Sequence, residues 1–206
     1  MTKKQLKVLV ACEFSGTVRE AFNKLGHDAW SCDLLPTDIE GQHIQGDVLD
    51  VIKNQDWWDL IIAHPPCTHL TVSNAKNWAE LQANGKQQAA IDFVEAIYFS
   101  DCPHICIENP VGALSTRSNL GKATQYIQPF EFGHPEQKKT GLWLKGLPTL
   151  KGTKFIDVSG LPKNQVQRLH YLPPSKDRWK LRSTTYQGIA DAMATQWSNY
   201  LLTHTN

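Results

Sequence analysis

The stretch LKVLVACEFSGTVREAFNKLG, residues 6–26, sets the structural pattern for the chain. It begins with a β-branched apolar run at 6–12, which predicts a buried strand. A turn containing Gly16 follows, and apolar residues then recur at helical spacing up to Gly26, which is placed as a helix C-cap. A strand, a glycine turn and a helix in this order form one unit of an open α/β sheet.

The same alternation continues to the end of the chain. Further strands are predicted at 28–34, 58–64, 104–110 and 140–147, with 46–52 leading into the strand at 58–64, and helices at 86–100 and 188–202. This order predicts a mostly parallel sheet with helices on both faces, a Rossmann-like α/β fold. In such sheets ligands bind beyond the carboxyl ends of the strands, so the residues that follow each strand are the functional candidates.

The composition is that of an ordinary globular protein. The chain has 206 residues, of which 41% are hydrophobic and 20% charged, which fits a single domain. No apolar stretch approaches membrane-spanning length and the amino terminus lacks the apolar run of a signal peptide, so we expect a cytoplasmic protein. Cys102 and Cys106 lack the second ligand pair that a zinc site needs, and no metal is predicted.

The ends of the first two predicted strands favour a nucleotide-like ligand. Gly16 would let the backbone approach a ligand at the start of a helix, although the motif is not the GxGxxG fingerprint of a dinucleotide site. Asp33 ends the second strand, where an acidic residue takes ribose hydroxyls in nucleotide-binding sheets. Asp47 could accept a hydrogen bond from an adenine amino group. Together they predict an adenosyl ligand across the sheet, whereas either Asp alone could be a turn or cap residue.

A thiol and a carboxyl follow two neighbouring strands. Two prolines end the strand at 58–64 and place Cys67 on a rigid turn, while Glu108 lies at the end of the strand at 104–110. Partial desolvation would raise the pKa of Glu108, so that this carboxyl could share a proton near neutral pH. A thiol nucleophile with such a carboxyl is suited to addition to an electron-poor ring. The alternatives are an inert buried thiol for Cys67, and a helix cap or a surface ion pair for Glu108.

These motifs, taken in order, resemble those of the cytosine-C5 methyltransferases. PPC at 65–67 resembles the nucleophile motif of that family, ENP at 108–110 its Glu-Asn-Val motif, and CEFSG at 12–16 its Asp-x-Phe-x-Gly motif. The weaker matches are QGDVLDV at 45–51 with the adenine-contacting Gly-Asp, FGHPEQKK at 132–139 with Gly-x-Pro-Gln-x-Arg-x-Arg, and YQGIADAMA at 186–194 with Gly-Asn-x-Val. The resemblance implies a Rossmann-like S-adenosylmethionine-dependent methyltransferase fold.

The resemblance also implies a cofactor and a role for each matched residue. S-adenosylmethionine would supply the methyl group that is transferred to C5 of cytosine. Cys67 would attack C6 to form a covalent adduct, Glu108 would hydrogen-bond N3 and the 4-amino group, and Asn109 belongs to the same motif. Lys138 and Lys139 are the cations nearest to the positions of the family's two arginines. The implied cofactor-binding residues are Phe14, Ser15, Gly16, Thr17, Asp33, Asp47, Pro65, Gly188 and Ile189.

The carboxyl-terminal quarter is basic, which is compatible with phosphate binding. Residues 151–206 hold eight Lys/Arg against three Asp, a net charge of +5, whereas the whole chain carries +1. Where the family has a large recognition domain, this chain has a short basic insertion at 151–182. If 176–182 is extended, its even-numbered residues form one phosphate-contacting row, which comprises Lys176, Arg178, Lys180 and Arg182. A solubilising edge is the alternative.

The predicted partner is DNA, methylated with low sequence specificity, or a deoxycytidine nucleotide. Small stand-alone proteins of this pattern resemble phage or prophage products, which would place the protein in the host cytoplasm. Two alternatives stay open. One is an exocyclic amino methyltransferase, whose Pro-Pro loop carries a Tyr or Phe in place of Cys67. The other is a non-catalytic, methyltransferase-like binder of nucleic acid or nucleotides.

Overall fold

A computed structural model describes residues 4–54 and 57–204, so the two ends of the chain, 1–3 and 205–206, lie outside it. The strands are β1 Lys7–Ala11, β2 Asp28–Asp33, β3 His43–Gln45, β4 Leu60–Ala63, β5 Ile105–Pro110, β6 Gln125–Ile127 and β7 Thr140–Lys145. The helices are α1 Thr17–Asn23, α2 Val48–Asn54, α3 Trp78–Ala83, α4 Lys86–Tyr98, α5 Leu114–Arg117, α6 Lys163–Val166, α7 Arg168–Tyr171, α8 Arg178–Ser183 and α9 Gln187–His204, with 3-10 turns at Val72–Asn77 and Pro129–Glu131.

The described strands form one seven-stranded sheet in the order β3-β2-β1-β4-β5-β7-β6. Each neighbouring pair from β3 to β5 is parallel, and β7 runs antiparallel to both β5 and β6. The strand order reverses between β1 and β4, which is the point where open α/β sheets bind ligands. The predicted Rossmann-like, mostly parallel α/β fold is therefore confirmed.

The sheet is covered on both faces because its central strands are apolar on both sides. Val8 and Val10 of β1 belong to one core cluster together with residues of α1 and α9. Leu9 and Ala11 of the same strand belong to a second cluster together with residues of α4. The alternation along β1 thus divides its side chains between the two faces, with α1 and α9 on one face and α4 on the other.

Two segments differ from the predicted structure. The segment at 46–52, expected as a lead into a strand, contains most of helix α2, and Asp47 Oδ1 caps this helix by accepting the N–H of Leu49 at 2.9 Å. The phosphate-contacting row considered for 176–182 requires an extended segment, but this segment forms a turn followed by helix α8. Its Arg, Lys and Leu residues are good helix formers, and no strand among the described residues pairs with it.

Gly112 fixes the loop that carries Cys67 against the loop that follows β5. Gly112 forms an isolated bridge with Thr71, and a Cβ added at Gly112 would lie 2.0 Å from the carbonyl oxygen of Leu70. Gly112→Ala is therefore expected to lower the free energy of unfolding by about 1–3 kcal/mol, since the backbone must shift. Thermal or urea unfolding measures this. Gly160→Ala is the control, because its Cβ would meet nothing within 4 Å; equal stability of the two variants would contradict the prediction.

Candidate active site

The parallel register brings four strand ends to one edge of the sheet. Ala11 of β1 pairs with Cys32 of β2 and with Ala63 of β4, and Ala63 in turn pairs with Ile107 of β5. The residues that follow these four positions therefore share this edge, and they are Cys12, Asp33, His64 and Glu108.

Asn109 holds the Pro-Pro turn that places Cys67. Its side chain is 1% exposed, and Nδ2 donates a hydrogen bond of 2.9 Å to the carbonyl oxygen of Pro65. The carbonyl of Cys67 then accepts hydrogen bonds from the N–H groups of Leu70 and Thr71, both at 2.9 Å. Asn109, predicted with the catalytic residues, is placed to position the turn.

Glu108 lies among hydrogen-bond donors and positive charges. Its Oε2 lies 3.2 Å from Nδ1 of His64, and the side chain is 17% exposed. Burial by itself raises the pKa of Glu108, but the hydrogen bond from His64, the charge of Lys138 and a hydrogen bond from Thr140 outweigh it, so the pKa lies below its usual value. The expectation of a raised pKa is wrong, because the sequence did not show which groups face this carboxyl.

The half-buried thiol of Cys67 belongs to the same electrostatic environment. Burial and the negative charge of Glu108 raise the pKa of Cys67, whereas the charges of Lys138 and Arg182 act in the opposite direction. The net shift is upward, so the free protein holds Cys67 mainly as the thiol at neutral pH. Any nucleophilic role therefore requires removal of this proton when a substrate binds.

The two consecutive lysines of the segment before β7 are separated by the alternation of an extended chain. Lys138 acts on both Glu108 and Cys67, and its Nζ donates to the carbonyl of Arg182 at 3.0 Å. The ammonium of Lys139 instead lies 4.6 Å from the centre of the Tyr126 ring. Of the two predicted lysines, the structure brings Lys138 to Cys67 and Glu108 and places Lys139 on Tyr126.

A cleft of about 150 Å³ lies beside this centre, where the strand order reverses. Asp33 and Asp47 both line it, together with Cys12, Pro66 and Phe93 among others. Oδ1 of each Asp accepts the backbone N–H two residues further on, at 2.9 Å. Within the described part of the chain, Oδ2 of each carboxylate is left to accept from a ligand.

The thiols at this cleft are protonated groups. Burial and the charges of Asp33 and Asp47 raise the pKa of Cys32 to about 11, and burial raises that of Cys12 as well. Cys12 has a left-handed backbone (φ 58°), which is unusual for a residue other than glycine. This conformation turns the chain sharply out of β1 at the edge of the cleft.

Phe14 and Gly16 are enclosed by other parts of this chain. Phe14 is 6% exposed, and its ring centre lies 5.3 Å from that of Trp179 in α8. Gly16 is left-handed (φ 69°), and a Cβ there would lie 2.7 Å from Ile39 and 2.8 Å from Arg19. The space beside Gly16 that was expected to accommodate a ligand is filled, on this side, by the side chains of Ile39 and Arg19.

Ser15 and Thr17 belong to the capping of α1. The buried carboxyl of Glu13 accepts the N–H of Val18 at 2.7 Å and the hydroxyl of Ser15 at 3.3 Å, and the Ser15 hydroxyl accepts the N–H of Thr17 at 3.3 Å. Burial raises the pKa of Glu13 in spite of these hydrogen bonds. The polar side chains of the CEFSG segment therefore cap the amino terminus of α1.

Three further predicted cofactor residues lie away from the lining of the cleft. Pro65 is buried, and it is the next residue, Pro66, that lines the cleft. The N–H of Gly188 donates to Nε2 of His134 at 3.0 Å, and a Cβ at Gly188 would lie 1.9 Å from the carbonyl oxygen of Phe132. Ile189 is buried in the core cluster of α1 and α9. Gly188 thus serves close packing of α9, for which only glycine has room.

The four basic residues of 176–182 do not form one row, because the segment is helical. Lys180 pairs with Asp38 at 2.5 Å, and Arg178 donates to the carbonyl of His170 at 3.3 Å. The charge of Arg182 reaches Cys67, and Lys176 is exposed. The premise of an extended segment does not hold, whereas phosphate contact by these four residues stays a prediction. The charge of Arg182 places it in the surroundings of the thiol.

Sequence reasoning missed His64, Thr140, Cys12, Pro66 and Phe93. The position of His64 and Cys12 directly after a strand was a signal that could have identified them. Phe93 lies on a helix whose apolar periodicity indicates only a core face, and no sequence signal marks it.

The described residues contain no group of three or more His, Cys, Asp or Glu side chains that could hold a metal ion. In the same part of the chain, no helix is both long and apolar enough to cross a membrane.

Comparison with known proteins gives likenesses of fold alone. No model of a known family and no curated protein matches the chain. Among solved structures, it is similar to a protein described as a DNA modification methyltransferase encoded within an E. coli prophage (TM-score 0.45, 14% identity, 68% of this chain and 46% of that one). It is also similar to the S. pombe Dnmt2 methyltransferase (TM-score 0.48, 17% identity, 84% of this chain and 61% of that one). The chain thus spans about half and three fifths of their lengths.

Proposed function

We propose that the protein transfers a methyl group from S-adenosylmethionine to C5 of cytosine, in DNA or in a deoxycytidine nucleotide. The observation that carries the proposal is electrostatic and geometric: the charge of Glu108 acts on the thiol of Cys67 at the edge of the sheet where a cleft lined by Asp33 and Asp47 also opens. A thiol and a carboxylate together suit addition to an electron-poor ring. The cleft with its two Asp residues, at the point where the strand order reverses, suits an adenosyl ligand beside that ring.

The donor set of the cleft fits the adenosyl part of this cofactor. Asp33 and Asp47 each offer a free carboxylate oxygen, which suits hydroxyl and amino donors, and Pro66 and Phe93 add apolar walls. With a volume of about 150 Å³, the cleft has room for only part of such a molecule. Phe14, which is also predicted to contact the cofactor, is covered by Trp179. When bound, the cofactor supplies an electrophilic methyl group.

The residues of this chain prepare the ring for that group. Cys67 loses its proton, and its sulfur forms a bond with C6 of the cytosine. Glu108 hydrogen-bonds N3 and the 4-amino group, where charge changes as this bond forms. Lys138 offsets the negative charge of Glu108 and stabilises the thiolate that precedes the bond. Asn109 keeps the Pro-Pro turn in place throughout.

The proposed substrate contacts come from the basic carboxyl-terminal quarter. Arg182 is the member of its basic segment whose charge reaches Cys67, which supports the proposal that it pairs with a phosphate of the target nucleotide. We interpret 1–206 as one catalytic domain with a short basic insertion at 151–182 in place of a recognition domain. Without a large reading surface, methylation of DNA would show low sequence specificity.

The deciding experiment supplies labelled S-adenosylmethionine with single-stranded DNA, duplex DNA or deoxycytidine monophosphate. Mass spectrometry of the product nucleoside then locates the methyl group. A methyl group on C5 supports the proposal, and one on the exocyclic nitrogen replaces it by an amino methyltransferase. Tight calorimetric binding without transfer to any substrate leaves a non-catalytic binder.

Asp33→Asn and Asp47→Asn are each expected to weaken cofactor binding by about tenfold or more, because each removes a charged hydrogen-bond acceptor from the cleft. Isothermal calorimetry with S-adenosylmethionine measures the loss. Asp50→Asn, in the first turn of α2, removes one charge from a position that does not line the cleft and serves as the control. Unchanged affinity in both cleft variants would move the cofactor site elsewhere.

A further inference from the structure

His64 acts on two carboxyl groups at this sheet edge, those of Glu108 and Glu13. Its Nδ1 lies 3.2 Å from Oε2 of Glu108, and the charge of His64 also acts on Glu13. The His64 side chain is only 8% exposed. A histidine in this position can pass a proton to Glu108 without exposing either group to solvent.

The second ring nitrogen of His64, Nε2, is buried and yet, within the described part of the chain, unpaired, which is unusual for a polar atom. Among the described residues, Nε2 has no hydrogen-bond partner. Leaving a buried polar group unpaired lowers the stability of the folded protein. Such a cost is characteristic of sites where a group is kept available for chemistry.

We propose that His64 is a proton relay for Glu108, an inference that rests on the function proposed above. The lone pair of the Cys67 sulfur forms the bond to C6. The π electrons of the C5=C6 bond then form a C4=C5 double bond, and the π electrons of the C4=N3 bond move onto N3. N3 takes a proton from Glu108, and Glu108 takes one from Nδ1 of His64. The thiol proton leaves to water. When the sulfur–C6 bond breaks, the N3 proton returns to Glu108 and then to His64.

The relay accounts for a carboxyl that the folded protein keeps ionised. Glu108 alone holds no proton for N3 at neutral pH, since its surroundings favour the carboxylate. Nδ1 of His64 lies within hydrogen-bond distance of that carboxylate, so His64 is the group from which the proton of Glu108 is proposed to come. The other titratable groups that face this pair are Glu13 after β1, Cys67 after β4, Cys106 in β5 and Lys138 before β7.

The test follows exchange of the C5 hydrogen of deoxycytidine monophosphate for deuterium in heavy water, without methyl donor. Addition of sulfur to C6 makes C5 accept a deuteron, so exchange reports the adduct alone. His64→Asn keeps an N–H near Glu108 but cannot release its proton. We expect exchange to fall by about a hundredfold. We also expect the pH dependence of the exchange rate in the variant to differ from that of the wild type.

Several outcomes separate the relay from the proposed function. A folded His64→Asn protein that keeps the wild-type rate and pH profile overturns the relay, while methyl transfer by the wild type still supports the function. A wild type that neither exchanges nor methylates overturns both. His104→Asn is the control, because His104 bonds the backbone carbonyl of Asp59 at the opposite edge of the sheet. If His64→Asn does not fold, His64→Gln is measured in the same assay. Slower exchange with an altered pH profile then supports the relay, and the wild-type rate and profile overturn it.

Discussion

Cys67→Ala is expected to abolish methyl transfer, with a fall of at least about a thousandfold, because the proposed route has no other group that can bond to C6. The half-buried position and the loss of one sulfur atom predict little change in stability. Transfer of labelled methyl groups to DNA or deoxycytidine monophosphate measures the activity, and thermal unfolding checks the fold.

Cys102→Ala is the matched control for this variant. Cys102 is also partly buried, and its thiol lies 3.3 Å from the carbonyl oxygens of Trp58 and His104, just before β5 begins. It therefore lies at the opposite edge of the sheet from Cys67. We expect Cys102→Ala to retain activity. Full activity of Cys67→Ala would exclude a covalent adduct through Cys67 and leave an amino methyltransferase.

The sequence was sufficient for the fold because the physical signals were local. Alternating apolar runs and glycine turns predicted the strands at 28–34, 58–64, 104–110 and 140–147, and each contains a strand of the sheet. The parallel order then determined which strand ends share an edge. The segments predicted wrongly, 46–52 and 176–182, are short, and their structure depends on a cap and on packing that periodicity does not show.

The site was predictable in its positions but not in its electrostatics. Cys67, Glu108, Asp33 and Asp47 lie at strand ends, as the sequence indicates, and whether they act as proposed stays a prediction. The pKa of Glu108 depends on His64 and Lys138, which are distant in sequence and meet it only through the sheet. The enclosure of Phe14 by Trp179 likewise joins two segments that no local pattern connects.

Glu108→Gln is expected to change two rates in opposite directions. Methyl transfer should fall about 10²- to 10³-fold, because the amide can no longer share a proton with N3. Alkylation of the Cys67 thiol by iodoacetamide should become several-fold faster at neutral pH. The charge of Glu108 raises the pKa of Cys67, so its removal lowers that pKa and increases the thiolate fraction.

Peptide mass spectrometry separates alkylation of Cys67 from that of the other cysteines. Lys138→Met should slow the alkylation of Cys67, because the lysine charge lowers the pKa of this thiol and its loss leaves less thiolate. Glu80→Gln, on the exposed surface of α3, removes one charge without altering either rate. A merely structural Glu108 would lower methyl transfer and leave thiol reactivity unchanged. Slower alkylation in Glu108→Gln would show that the carboxylate does not share an electrostatic environment with the sulfur, and the proposed chemistry would fail with it.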